Sequence, residues 1–364
     1  MIGAGVIGLA VAAALSKAGR SVLILERESR ISSGITSRNS EVVHAGLYYP
    51  TGSLKASLCV AGRDLLYAWC AEKRVDAPRI GKLIVATREE EESVLDDLFA
   101  RGIENGVAGL SLIDRQEIRR LEPGVDARSA LQSRETGIVD AQAFCLSLLA
   151  AAESDGAVLS LGRCVESLEP RSFGWRIELT HAEGGTEKVD AGLVVDAAGL
   201  DADRIARLAG IDVDGLGWRQ YLCKGDYFSL AAGVKISLER LIYPVPEPAG
   251  LGIHATLDGA RRLRFGPDAE YVENVDFEVD PSKAASFAAS IARYLPAMTE
   301  VCLIPDYAGI RPKLAAPGES FRDFVIEEAS PHGAPGFIAC LGIESPGLTS
   351  ALAIADYVAK LGAI

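Results

Sequence analysis

Two histidines and one arginine stand where their chemistry could be used. His44 lies in SRNSEVVHAGLYY (37–49), where polar residues Ser37 to Glu41 give way to an apolar run ending in Tyr48 and Tyr49. An imidazole there can donate or accept a proton near neutral pH, and the pair Ala45-Gly46 that follows is small. His254 sits between Ile253 and Ala255 in GLGIHATL (250–257). It reads either as a hydrogen-bonded structural histidine or as a general base. Arg311 in AGIRPK (308–313) carries a planar guanidinium. That group can grip a carboxylate through two parallel hydrogen bonds, or form a surface salt bridge.

These residues need a frame, and the chain opens with one. Gly3, Gly5 and Gly8 form G-x-G-x-x-G; Ala12 and Leu15 follow at helical spacing, Gly19 ends the helix, and SVLILE (21–26) reads as a buried parallel strand. Gly3 permits the tight turn, Gly5 lets backbone approach a pyrophosphate, and Gly8 lets the helix pack closely on a sheet. Glu26, at the strand end, lies where an acid would bond the adenosine ribose. Only Met1 and Ile2 precede Gly3, so a few native residues are expected ahead of them.

Further along, 53–73 has apolar residues at helical spacing, GKLIVAT (81–87) is a strand, and TGIVDAQAF (136–144) leads from a turn into a helix to about Ser154. Thr87 with Glu90 resembles a capping box, so the acidic run Glu89 to Glu92 reads as a solvated helix start and not a metal site. GLVVDAAG (192–199) is a second buried strand. RLIYPVP, GLGIHATL and RLRFGP read as antiparallel strands, and DYAGIRPKL (306–314) as a strand interrupted by Pro312. The chain closes with a loop and a helix over 342–361, which Ser345 can cap and Pro346 can start.

The reading is therefore α/β: a Rossmann-like nucleotide-binding domain with an inserted antiparallel-sheet (α+β) substrate domain. The first would comprise 1–80, 140–215 and 305–364, the second 81–139 and 216–304. A net charge of −13 argues against nucleic acid, which needs a basic patch. The cysteine count is odd, seven, without a CxxC pair, which suits buried thiols in a reducing compartment and neither a disulfide frame nor a metal site. The opening apolar run has no basic residue before it, so it does not read as a signal peptide, and no stretch is long enough for a transmembrane helix.

Taken in order, the fingerprint, SRNSEVVHAGLYYPTGSLKASLC, GKLIVAT, TGIVD, VVDAAG, LCKGDYF, LIYPVP, LGIHAT, FGPDA, GIRPK and GIESPGLT resemble the FAD-dependent D-amino acid oxidase (DAO) superfamily. Within it they are most similar to the L-2-hydroxyglutarate dehydrogenase/oxidase branch. The resemblance implies an extended FAD held by Gly3, Gly5, Val6, Ile7, Gly8, Glu26 and Arg27 at its adenosine end. Ser37, Arg38, Asn39, Ser40, Ala198 and Gly199 would contact its middle. His44, Ala45, Gly46 and the run Glu344, Ser345, Pro346, Gly347, Leu348, Thr349 would border the flavin, the last helix offering N–H groups to its pyrimidine edge. It further implies Arg311 as carboxylate anchor, His254 as base for the substrate hydroxyl, and Lys224 and Tyr243 as substrate contacts, Lys224 for a distal carboxylate.

The implied activity is oxidation of a small L-2-hydroxy acid by hydride transfer to flavin N5. Alternatives are an amine oxidase of the glycine or sarcosine oxidase kind and, outside catalysis, a nucleotide-binding protein or NAD-binding regulator. The electron acceptor stays open among oxygen, a quinone and a flavoprotein partner. The expected location is cytoplasmic, peripheral at the inner membrane face if the acceptor is a quinone.

Overall fold

The computed structural model describes residues 1–246 and 252–362. Ile2, short as its strand is, bridges in parallel to both Leu25 and Asp196 and so joins two halves of one sheet. Its strands run Val158–Ser160, Leu23–Leu25, Ile2, Val194–Asp196, Phe337–Leu341 and Val325–Glu328, parallel except for the last pair. Side chains alternate across it, as the pleat dictates. Ile24, Val195, Ile338 and Cys340 face a core shared with the helices Val6–Lys17, Leu54–Lys73, Ala141–Ser154 and Gly347–Leu361. Leu25, Val194, Phe337, Ala339 and Leu341 face the other way. There they meet a three-stranded antiparallel sheet, Arg163–Arg171, Gly174–His181 and Thr186–Ala191, and the short helix Ala202–Leu208.

Close backbone contact explains two glycines of this layer. A Cβ on Gly8 would stand 2.0 Å from the carbonyl oxygen of Gly3, and one on Gly3, at φ +99°, would meet Ala197 O at 2.4 Å. The strand-to-helix turn can therefore form only with both side chains absent. Gly62, in the long helix, likewise lets that helix ride against Thr349 of the last one, where a Cβ would lie 2.5 Å from a carbonyl.

The second sheet runs Leu303–Lys313, Tyr221–Leu230, Leu263–Phe265, Ala255–Leu257, Leu241–Pro244, Lys82–Ala86, Ser129–Ser133 and Leu110–Asp114, with Glu270–Val272 also on Tyr221–Leu230. It is antiparallel with one exception: Leu241–Pro244 and Lys82–Ala86 pair in parallel. Its apolar face packs on Phe287, Ile291, Tyr294 and the helices Glu92–Glu104 and Arg115–Leu121.

Several expectations need correcting. Pro312 does not interrupt its strand. It stays in register opposite Leu222, on an edge strand that no other strand borders on its outer side among the described residues. Because Leu303–Lys313 belongs to the second sheet, the expected boundary at 305 cuts through a strand. The capping carboxylate before the third long helix is Glu91, which accepts from Thr87 N and Arg88 N and is buried, not solvated. Ser345 does not cap the last helix, whose cap residue is Pro346, without a side-chain bond. Of the strand expected over 250–257, Ala255–Leu257 forms, while Gly250 and Leu251 lie outside the described residues. Six of the seven cysteines are buried and Cys164 is half-buried, all as free thiols. Among the described residues no helix is long and apolar enough to cross a membrane.

Candidate active site

Between the two sheets lies a cavity of about 1150 Å³. That exceeds the roughly 300–1,000 Å³ of an ordinary small-ligand pocket. One end is walled by the nucleotide-type turn. Gly3, Gly5, Val6, Ile7, Glu26 and Arg27 border it, as do Ala198 and Gly199 after the Val194–Asp196 strand. Glu26 accepts from Ala4 N at 2.8 Å and from Glu28 N at 2.9 Å, which fixes its carboxylate beside the turn. Arg27 pairs with Asp201 at 2.7 Å.

The middle is built by 36–49. Arg38 stacks on Phe277 at 4.2 Å, Asn39 is held by Thr36 O and Tyr307, and Ser40 shares a 2.7 Å hydrogen bond with Tyr227. Ser37 is exposed and turned away; its hydroxyl donates to Ser33 and Gly34 carbonyls, while Thr36 takes the wall position and accepts from Val6 N. Ala45 and Gly46 are behind the wall as well. Gly46 packs against the long helix, where a Cβ would meet Val60 at 2.7 Å. The smallness of Gly46 serves helix packing and not the cavity.

At the far end His44 and Ser345, remote in sequence, meet at 3.2 Å, and Tyr49 joins Ser345 at 3.2 Å. Thr349 accepts from His44 N at 3.0 Å and is itself fully buried, so it positions the histidine without bordering the cavity. Burial, with the Lys82 charge adding to it, pushes His44 down to about 3, so its ring is neutral. Glu344, Ser345, Pro346, Gly347 and Leu348 line this end, beside the positive end of the last helix, where Gly347 N donates to Glu344 O.

Arg311 borders the same cavity. Its Nε donates to Cys223 O at 3.4 Å and its Nη2 to Lys224 O at 3.2 Å and Asp268 O at 2.6 Å. Carbonyls thus hold the guanidinium plane without neutralising it. Beside it, Lys55 reaches Glu344 at 2.9 Å and Lys313 reaches the same carboxylate at 3.2 Å. Burial alone would push the Glu344 carboxyl up; Lys55, Lys313 and Arg311 more than offset this and hold it below the usual range. Tyr243 and His254 form another wall, the two rings stacked.

Lys224 is not in the wall. Its ammonium donates to Asp276 at 2.9 Å and to Glu278 O, with Asp226 nearby, on the side of the strand away from the cavity. The expected contact with a distal carboxylate is therefore corrected: Lys224 pins the segment 273–278, whose Phe277 forms part of the wall. Lys55 and Lys313 are the lysines that border the cavity. Sequence reading missed both, and Thr36 too; the one available signal was their nearness in sequence to residues already singled out.

A family model described as "FAD dependent oxidoreductase" matches residues 1–361. The chain belongs to the DAO family. Similar proteins include the mitochondrial L-2-hydroxyglutarate dehydrogenase of Arabidopsis thaliana, 40% identical over 398 residues, covering 99% of this chain and 82% of that one. The glycerol 3-phosphate dehydrogenase of Caloramator mitchellensis is 32% identical over 98% of this chain and 72% of its own length. Among solved structures, the dithionite-reduced L-alpha-glycerophosphate oxidase of Mycoplasma pneumoniae with FAD bound superposes with a TM-score of 0.88 at 25% identity, covering 100% of this chain and 94% of that one.

The DAO-family chain is accordingly an FAD-dependent oxidoreductase, and its cavity fits that cofactor. Gly3 and Gly5 bring backbone without side chains to the cavity wall, Glu26 borders the same end, and His44 Nδ1 and Tyr48 OH are buried polar atoms without partners among the described residues.

Proposed function

We propose that the protein oxidises a small L-2-hydroxy diacid, of the L-2-hydroxyglutarate type, to its 2-oxo acid. The observation that carries this reading is the cation group at one end of the cavity: Arg311, Lys55 and Lys313 against the single carboxylate of Glu344. A guanidinium held by carbonyls and two lysines that share one carboxylate, in a partly desolvated site, suit a substrate with two carboxylates. The name of the Arabidopsis relative agrees with that chemistry.

In this reading Arg311 holds the carboxylate beside the hydroxyl, with its plane preset by three carbonyls. Lys313 and Lys55 meet the distal carboxylate. His254, kept flat by Tyr243, accepts the hydroxyl proton as the Cα–H departs. Glu26, Gly3–Gly8, 38–40 and 344–348 would hold FAD, which would supply the acceptor for the hydride. The same division of labour underlies our two-domain assignment, with the second domain contributing Tyr243 and His254. Electrons then pass to oxygen, a quinone or a flavoprotein, and a cytoplasmic or membrane-peripheral position accommodates each.

A second reading is favoured by one observation. The Caloramator relative and the Mycoplasma structure are named for glycerol 3-phosphate, and a phosphate dianion would also suit Lys55 and Lys313. Anaerobic mixing with L-2-hydroxyglutarate, glycerol 3-phosphate and glycine separates these and the amine-oxidase alternative. Bleaching by the hydroxy diacid supports the proposal; bleaching by one of the others alone overturns it.

A further inference from the structure

Lys82 opens the strand Lys82–Ala86 and is 1% exposed, yet its Nζ has no hydrogen-bond partner among the described residues. Burying an amine without a hydrogen-bond partner is costly, and a methionine of similar length would avoid that cost. The ammonium lies instead over two aromatic faces, 4.5 Å from the centre of Tyr48 and 4.6 Å from that of Tyr243. Both rings border the cavity, and Lys82 sits one layer behind them. Nearby, His44 Nδ1 and Tyr48 OH are also buried and unpartnered among the described residues.

We propose that Lys82 is a positioning residue: its ammonium, held against Tyr48 and Tyr243, adds a positive field to the cavity wall and favours the acid bound against those rings. The inference rests on the reading of the cavity as a hydroxy-diacid site.

Burial pulls the Lys82 amine down to about 7. Facing it are His44 and Tyr48 from 37–49, Tyr243 from the neighbouring strand and Cys59 from the long helix; its partners in register, Leu241 and Ser133, carry no charge. Burial pushes His44 down to about 3, Cys59 up to about 12 and both tyrosines well above their ordinary value. Of these groups Lys82 alone changes charge near neutral pH. Acid binding should therefore weaken as pH rises through about 7, where the ammonium is lost.

The test is 2-oxoglutarate binding to the FAD-loaded protein, read from the flavin absorbance between about pH 6 and about pH 8.5, a window that brackets the transition. Wild type, Lys82→Met and Lys82→Arg are compared. One charge a few ångströms behind the wall predicts an affinity change on the order of tenfold. Wild-type affinity should fall by about that factor across the window. The Met variant should bind weakly and evenly, and the Arg variant tightly and evenly. Arginine keeps its charge throughout the window, so the Arg variant carries the assignment to Lys82. If Lys82→Met binds with the wild-type affinity and pH profile, or if the wild-type profile is flat, the inference is overturned while the substrate reading stands. A wild-type protein that binds no diacid overturns both.

Discussion

The imidazole of His254 lies flat on the phenol ring of Tyr243, with ring centres 3.5 Å apart and planes within 7°. Both are buried, and both border the cavity that holds Arg311. Stacking leaves His254 little freedom to tilt, so whatever its ring nitrogens face is decided by the fold and not by side-chain motion. A base held this way acts on a substrate that is itself held, which is what the carbonyl-braced Arg311 provides.

His254→Ala should keep its FAD, since His254 is not among the residues assigned to the cofactor. Its anaerobic flavin reduction by substrate should slow by about 10²–10⁴-fold, the usual contribution of a positioned base. Stopped-flow bleaching measures this directly, and a wild-type rate would remove His254 from the reaction.

Arg311→Lys keeps the charge but loses the planar fork and two of the donors that fix it. We expect KM to rise by about 10- to 100-fold, corresponding to roughly 1.5–3 kcal/mol for hydrogen bonds to a charged group. An unchanged KM for every acid tried would show that the substrate carboxylate binds elsewhere.

Lys313→Met tests the distal site. It should raise KM for a hydroxy diacid by about tenfold or more and leave a hydroxy monoacid of similar length nearly unaffected, because only the diacid offers the second charge. Equal effects on the two substrates would contradict the assignment.

Glu344 links these charges to stability. Its carboxyl is held below the usual range in the folded protein, so it contributes stability above the unfolded value of about 4.3, and that contribution is lost as pH falls through the folded value. Glu344→Gln should be less stable than wild type at neutral pH in urea unfolding, and the gap should begin to close below about pH 4.3. A gap independent of pH would mean that the ion pairs do not set the difference.

Much of the nucleotide layer was legible because local chemistry decides it. Gly3, Gly5 and Gly8 read as a turn from their spacing alone, and SVLILE and VVD read as buried strands from unbroken apolar runs. His254, Arg311 and Tyr243, which the resemblance singled out, all line one cavity. What failed depended on direction. Lys224 and Lys313 are both single lysines on strands of the second sheet, and only the pleat and the pairing of those strands determine that one faces Asp276 and the other Glu344. Ala45-Gly46 looked like a surface for a flat cofactor, but small residues serve helix contacts equally well, and Val60 occupies the space. Ser345 read as a cap because of its place before a helix; its hydroxyl is instead spent on His44 and Tyr49, which no local pattern reports. The sheet Arg163–Ala191 went unnoticed although Trp175, Ile177 and Leu179 alternate inward, as a half-buried strand should.

The central claim is tested most directly by mixing the FAD-loaded protein anaerobically with L-2-hydroxyglutarate and recording the flavin spectrum alongside the acid products. The account predicts full bleaching of the oxidised flavin with one equivalent of 2-oxoglutarate formed per flavin. A flavin that stays oxidised with this acid, yet bleaches with glycerol 3-phosphate or an amino acid, would contradict it.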